Sequence, residues 1–269
     1  MTDFIAKYGQ WALVTGASSG IGAEFSRQLG EKGLNLVLVA RRKEILDAKA
    51  EDLKDAFGIE VMTIGLDLTE TNAIQKLYEK AKNIDIGLVV PNAGMATEGN
   101  FSKIPLEEQN QVLVLNCMVP MQMAHLFGQR LIERGRGGII FVASTFGYQA
   151  VPYFANYAAS KSYILTFGES LHYEFKRNGI DVTVLSPGLT STAMPDSLEI
   201  DFSKLPMKAM PVEPVVTRAL DSLEQNKASV IPGMMNNSMA FMAQRLMSRE
   251  RIASMFGDMN RKALPKEKI

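Results

Sequence analysis

Cysteine and histidine are almost missing from this chain. Cys117 is the only cysteine in 269 residues. It cannot form a disulfide within the chain, and a cysteine-based metal site is excluded. The two histidines, His125 and His172, are too few for most zinc or triad chemistry, so no metal site is expected. An excess of one charge sign is also missing. Lys plus Arg and Asp plus Glu each number 29, so no global field draws the chain to nucleic acid. No apolar run approaches the ~20 residues that a membrane-spanning helix needs. Met1–Gln10 is polar and lacks the apolar stretch of a signal peptide. A cytoplasmic protein is expected.

Apolar residues make up 46% of the chain, enough for a sizeable core. The length suits one large α/β domain. Short, continuous apolar runs at Trp11–Thr15, Leu34–Ala40, Val61–Leu66, Ile86–Pro91, Gly138–Ala143, Val182–Ser186 and Ser229–Ile231 predict strands covered on both faces. Helical patterns fill the gaps at Ile21–Lys32, Lys43–Phe57, Thr71–Lys82, Leu106–Glu133, Phe154–Arg177 and Val212–Gln225. This alternation predicts a Rossmann-type, doubly wound parallel sheet of about seven strands with helices on both faces. The ligand is expected at the carboxyl ends of the strands. Two domain-level regions are expected: 1–233 as the dinucleotide-binding and catalytic domain, and 234–269 as a helical extension packed on it.

Gly16, Gly20 and Gly22 follow the first strand and open a helix. Glycine lets the backbone turn tightly and approach a pyrophosphate without an intervening Cβ. The helix start then offers free N–H groups and a positive dipole end. The second strand ends at Ala40, followed by Arg41 and Arg42. An acid that would bond a ribose 2′-hydroxyl is missing there, and Arg41 is placed to fork onto a 2′-phosphate. NADP(H) is the expected cofactor; the bland alternative is a pair of solvated arginines opening a surface helix.

Tyr157 and Lys161 are four residues apart, one helical turn, and so share a face. Ser144 closes the Gly138–Ala143 strand. Carbonyl reduction needs a proton for the developing alkoxide. A tyrosine hydroxyl can supply it, and a nearby cation is expected to lower its pKa from ~10. Any one of these residues alone would be unremarkable: a surface Tyr over a Lys stem, or a serine capping a strand end. Their order and spacing together argue for chemistry.

Over about residues 9–233 the chain resembles the short-chain dehydrogenase/reductase family. Thr15–Gly22 matches its T-G-x-x-x-G-x-G loop, Asn92-Ala93-Gly94 its N-A-G motif, and Pro187-Gly188 with Thr192 its P-G-x-x-x-T segment. The resemblance implies that Gly16, Ser18, Ser19, Gly20, Ile21, Gly22, Arg41, Asp67, Leu68, Asn92, Ala93, Gly94, Tyr157, Lys161, Pro187, Gly188 and Thr192 hold the cofactor. It further implies a catalytic tetrad of Asn116, Ser144, Tyr157 and Lys161. In it, Tyr157 is the general acid in reduction and the base in oxidation. Lys161 lowers its pKa and grips the ribose, Ser144 polarises the carbonyl, and Asn116 anchors a water. Two departures stand out: Pro91 precedes the N-A-G motif, and neither Ser18 nor Ser19 is basic, which leaves the NADP preference to Arg41.

The implied function is NADP(H)-dependent hydride transfer between the nicotinamide and a small-molecule carbonyl or alcohol. The alternatives are a 3-oxoacyl thioester reductase of fatty-acid metabolism, and a nucleotide-sensing binding protein without turnover. Met95, Thr97, Tyr148, Phe154, Leu189 and Met194 are candidate pocket walls. His125, His172 and Cys117 are read as structural. The Leu106–Glu133 and Phe154–Arg177 helices carry more apolar surface than one sheet covers, and the family pairs these helices between subunits; a homodimer or homotetramer is expected. The Met-rich tail has Met235, Met239, Met242 and Leu246 at helical spacing among Arg245, Arg249 and Arg251. It reads first as a helix packed on its own subunit or a partner, next as a lid over an apolar, bulky substrate. Membrane-surface contact is the least favoured reading.

Overall fold

A computed structural model describes residues 4–192, 194, 198–205 and 208–269. Seven strands form one sheet in the order β3-β2-β1-β4-β5-β6-β7. They are β1 (Trp11–Thr15), β2 (Asn35–Ala40), β3 (Val61–Gly65), β4 (Ile86–Val90), β5 (Gly137–Val142), β6 (Ile180–Leu185) and β7 (Ser229–Val230). Every pairing is parallel, with Leu13 opposite Val37 and Ile140 opposite Thr183. Parallel neighbours require crossovers, and the helices supply them. They also bury both faces, which is why β4 and β6 are buried along their whole length.

One face packs α2 (Gly20–Glu31), α3 (Lys43–Phe57) and α8 (Val212–Glu224) through Phe25, Leu29, Leu46, Val215 and Leu223. The other packs α4 (Ala73–Ala81), α6 (Val119–Arg134) and α7 (Ala155–Lys176) through Leu77, Phe127, Leu131 and Ile164. The short α1 (Phe4–Tyr8) precedes β1. Strand order reverses between β1 and β4, which opens a crevice at their carboxyl ends. Element ends differ from the predicted ones by a residue or two, as fraying ends do.

The predicted helix over Leu106–Glu133 is present, with one break in its regular hydrogen bonding. The structure has α5 (Leu106–Leu113), a single wide turn at Val114–Met118, and then α6. Val119 N–H bonds Val114 O, five residues back. Pro120 explains the break: it has no N–H for the carbonyl of Asn116, and its ring crowds that carbonyl. Such widened turns gather at functional sites, and Asn116 sits inside this one.

Two further helices follow β7: α9 (Met234–Arg245) and α10 (Arg249–Ala263). Among the described residues no helix is long and apolar enough to cross a membrane.

Candidate active site at the carboxyl edge of the sheet

The glycine loop turns through left-handed backbone at Gly16 (φ 66°) and Gly20 (φ 54°), which glycine adopts without a steric penalty. The space is as restrictive as the dihedral. A Cβ on Gly16 would lie 2.9 Å from Asn92 Nδ2, and one on Gly22 would overlap the carbonyl oxygen of Gly16. Asn92 pins the loop to β4. Its Nδ2 donates to Thr15 O (2.9 Å), and the N–H groups of Asn92 and Ala93 both donate to Thr15 Oγ1 (3.0 Å each). Thr192 lies over the turn, 2.9 Å from where a Cβ of Gly20 would be. Pro187 accepts from Thr145 N–H (2.9 Å), which brings the Pro187-Gly188 segment beside Ser144. Ser18, Ser19 and Ile21 line the same turn, with Ser19 preceding α2. This glycine cradle, followed at once by a helix start, fits a dinucleotide pyrophosphate.

Arg41 and Arg42 stand exposed past the end of β2. Asp67 and the buried Leu68 follow β3 on the neighbouring strand end. Burial works to raise the Asp67 carboxyl. The Thr69 N–H (2.9 Å) and hydroxyl (2.7 Å), helped by the charge of Arg41, outweigh it and leave Asp67 below its usual range.

The four predicted tetrad residues meet where β4, β5, the wide turn and α7 converge. Asn116 Oδ1 accepts from Met95 N–H (3.0 Å), and its Nδ2 donates to Met95 O (2.9 Å) and Ser160 Oγ (3.0 Å). Ser160 Oγ donates to the Tyr157 carbonyl (2.7 Å). Asn116 thus ties the loop after β4 to the helix that bears Tyr157. Lys161 Nζ is buried, donates to Val142 O (2.9 Å), and lies 5.7 Å from the centre of the Tyr157 ring. Ser144 Oγ accepts from Phe146 N–H (3.2 Å).

The electrostatics differ from expectation. The sequence places a cation near Tyr157, which predicts a lowered pKa. In the structure, burial pushes the Tyr157 phenol above its ordinary value, and only the Ser144 hydroxyl acts the other way. Burial also pushes the Lys161 ammonium down to about 8. Desolvation penalises both charged forms here, and Lys161 faces the ring and a backbone carbonyl.

A third apolar cluster roofs this edge. Val151, Phe154 and Ala158 pack with Ile200, Leu205, Ile252, Phe256 and Leu264. Phe146 lies edge-on to Tyr157 (6.2 Å between ring centres), Phe154 (5.5 Å) and Phe256 (6.0 Å). Phe146, Ser160, Ile252 and Phe256 were not among the predicted site residues. The nearness of Phe146 to Ser144 and of Ser160 to Lys161 was the available signal. Of the predicted pocket walls, Phe154 adjoins Tyr157, Met95 holds Asn116 through its backbone, and Tyr148 packs into the α4–α6–α7 core instead. Thr97 lines a cavity of about 330 Å³ and Leu189 one of about 920 Å³, and Ser144, Tyr157 and Lys161 line neither. Met194 lies in the stretch after Thr192, of which only parts fall within the described residues.

The tail is helical, as its spacing predicts, and it packs on the body of the chain through α10. Met235, Met242 and Leu246 are exposed, and Ala240 is the only buried residue of α9. Met239 of the stripe is half-buried, α9 packs against Thr145–Tyr148, and α10 supplies Ile252 and Phe256 to the roof. His125 is exposed beside Gln129, His172 is buried with Nδ1 2.8 Å from Val182 O, and Cys117 Sγ donates to Ser160 O (3.7 Å).

A family model for short chain dehydrogenase matches residues 10–201, more than half of the chain. The chain belongs to that family. This short-chain dehydrogenase is 34% identical over 190 residues to a 7beta-hydroxysteroid dehydrogenase from Clostridium sardiniense, covering 71% of this chain and 73% of that protein. It is 32% identical over 195 residues to a very-long-chain 3-oxoacyl-CoA reductase of Phaeosphaeria nodorum, covering 69% of this chain and 56% of the fungal protein. A solved structure from work on 7beta-hydroxysteroid dehydrogenase stereoselectivity superposes with a TM-score of 0.86 at 25% identity, over 94% of this chain and 98% of that one. A Sphingobium yanoikuyae short-chain dehydrogenase in complex with NADPH superposes with a TM-score of 0.79 at 29% identity, over 88% of this chain and 96% of that one. The family binds NAD or NADP, and the chain is a dehydrogenase/reductase of this kind.

Proposed function

We propose that this short-chain dehydrogenase is an NADP(H)-dependent carbonyl reductase acting on bulky, apolar ketones or the matching alcohols. The observation that carries the reading is the meeting of Ser144, Tyr157 and Lys161 beside the glycine cradle, under an aromatic roof. When bound, the nicotinamide supplies or accepts the hydride.

Each residue then has one task. The Ser144 hydroxyl donates to the carbonyl oxygen and polarises it. Tyr157 gives its phenolic proton to that oxygen as negative charge develops, and takes it back in the oxidation direction. Its raised pKa suits an acid that must hold its proton until the oxygen needs it. Lys161 offers its ammonium to ribose hydroxyls and to the phenolate left after transfer. Asn116, braced by Met95 and Ser160, holds a water behind Lys161 for reprotonation. Gly16, Gly20, Gly22, Asn92, Ala93, Gly94, Pro187, Gly188 and Thr192 shape the cofactor groove, and Asp67 and Leu68 its adenine end.

Ala40 and Arg41 support NADP over NAD: an acid is missing at that strand end, and an exposed guanidinium is available for a 2′-phosphate. The similarity to 7beta-hydroxysteroid dehydrogenase and the apolar roof support a rigid, multi-ring or similarly bulky substrate. The similarity to a very-long-chain 3-oxoacyl-CoA reductase supports a second reading, reduction of a long-chain 3-oxoacyl thioester. A cytoplasmic homo-oligomer completes the proposal. Leu106 on α5 and Tyr173 on α7 are exposed and offer apolar surface to a partner subunit. We assign the outward apolar face of α9 to a subunit contact ahead of a membrane surface, since Asn237 and Ser238 are exposed beside it.

The test is NADPH and NADH oxidation by the purified protein against bulky ketones, small ketones and 3-oxoacyl thioesters. Fastest turnover of a bulky ketone with NADPH supports the proposal. Preference for the thioester favours the second reading, and lack of turnover on every carbonyl favours a nucleotide sensor. Light scattering at micromolar concentration checks the assembly, and a monomer would refute that part.

A further inference from the structure

The last residues of the chain are anchored on both sides of the cleft. Lys268 Nζ lies 2.5 Å from Glu98 Oε1 and 3.1 Å from Glu199 Oε1. Glu98 belongs to the loop that leaves β4 and carries Asn92–Gly94. Glu199 precedes Ile200, a buried member of the roof beside Tyr157. The backbone is held as well: Asn100 N–H donates to Lys268 O (2.7 Å), and Lys103 Nζ donates to Ile269 O (2.6 Å). Asp201 N–H donates to Ala263 O (2.9 Å). The loop in turn reaches the catalytic helix, because Gly99 N–H donates to Tyr153 O (2.8 Å) just ahead of α7. Tyr153 has φ 69°, a left-handed conformation that a bulky residue keeps only when its surroundings impose it.

The charges make Lys268 more than a surface residue. The Glu98 side chain is only 6% exposed, so its carboxylate has little water and relies on the ammonium. Glu199 is 59% exposed, and its N–H donates to Glu98 Oε1 (3.3 Å). Without the ammonium that both carboxylates contact, Glu98 and Glu199 lose the charge that holds them together. Like charges at such range repel. Glu199 is the partner free to move into water, and it would take Ile200 and the roof with it.

We propose that Lys268 is a positioning residue for substrate binding. It clasps the Leu198–Leu205 segment to the loop after β4, and Glu98, Leu198 and Lys268 itself line the cavity of about 330 Å³. It sets the affinity for bulky substrates and takes no part in proton or hydride transfer. The kinetic part rests on the carbonyl-reductase reading; the structural part does not.

The test compares K268A, K268R, E98Q and K268A/E199Q with the unaltered full chain. K268A is expected to raise KM for a bulky ketone about tenfold, the size of one lost charge-assisted hydrogen bond. Its kcat and its NADPH affinity, read by fluorescence titration, stay within about twofold on the same scale. K268R restores KM, and E98Q, which keeps the shape, raises it. K268A/E199Q recovers part of the K268A defect, because the repulsion is gone. Hydrogen exchange of residues 198–205, measured without substrate, speeds up in K268A. An unchanged KM and exchange rate in K268A would overturn the proposal. So would a drop in kcat and Tm at constant KM, or a double variant no better than K268A. Faster exchange in K268A with a wild-type protein that reduces no carbonyl would keep the clasp and reject the reductase reading.

Discussion

Replacing Lys161 with methionine should change how the free enzyme's stability depends on pH, with a sign and size that burial dictates. Lys161 is 5% exposed, and its Nζ is bonded to a backbone carbonyl rather than to a carboxylate. Burial brings its pKa down to about 8, against ~10.4 in an unfolded chain. Between those values the unfolded chain holds a proton that the native protein has already lost. Stability therefore rises with pH across that window, by about 1.4 kcal/mol per unit for this group. From about pH 8 to about pH 10 the gain is roughly 2–3 kcal/mol. K161M lacks the group. Its lost bond to Val142 O is a nearly constant offset, and tyrosine ionisation near pH 10 is common to both proteins. The unfolding free energy of wild type minus that of K161M should thus grow by roughly 2–3 kcal/mol across the window. Urea denaturation at fixed protein concentration, without cofactor, reads it directly. Parallel profiles, or a wild type that loses ground as pH rises, would refute the claim that Lys161 is a desolvated cation.

Three further outcomes follow from named contacts. Gly22→Ala should fold, by circular dichroism, yet bind NADPH at least about tenfold more weakly by titration, because its Cβ has no room against the Gly16 carbonyl. Exchanging Ala40 for Asp and Arg41 for Ala together should lower the NADPH-to-NADH ratio of kcat/KM by about 10–100-fold, the worth of a charge-assisted phosphate contact; an unchanged ratio would remove Arg41 from the cofactor site. Phe256→Ala, which empties a buried ring position beside Phe146, should lower stability by about 3 kcal/mol. It should also raise KM for bulky ketones more than for small ones in steady-state assays.

Where the sequence was readable, a local rule matched a local cause. The strands were legible because continuous apolar runs such as Ile86–Val90 need cover on both faces, and the helices supply it. Gly16 and Gly22 were legible because a strand, a tight turn and a helix start lie within one short stretch. Tyr157 and Lys161 were legible because helical spacing alone puts them on one face. The failures had non-local causes. The break at Asn116 depends on Pro120, whose missing N–H was there to be noticed but whose effect is felt four residues back. The Met stripe of α9 obeys helical spacing, yet spacing alone does not say which way each member faces: Met235, Met242 and Leu246 face out and Met239 is half-buried. The Tyr157 phenol is governed by burial that only the assembled roof creates. Lys268 and Glu98 are 170 residues apart, and no pattern along the chain connects them.

The central claim is that Tyr157 delivers the proton in an NADPH-dependent carbonyl reduction. The most direct measurement is single-turnover NADPH oxidation with a saturating bulky ketone, in wild type and in Tyr157→Phe, alongside NADPH titration of both. The account predicts a fall in rate of about 10²–10⁴-fold, the worth of general acid catalysis, with NADPH affinity weakened by no more than about tenfold, the worth of one neutral hydrogen bond. A Tyr157→Phe enzyme that keeps most of the wild-type rate would contradict it.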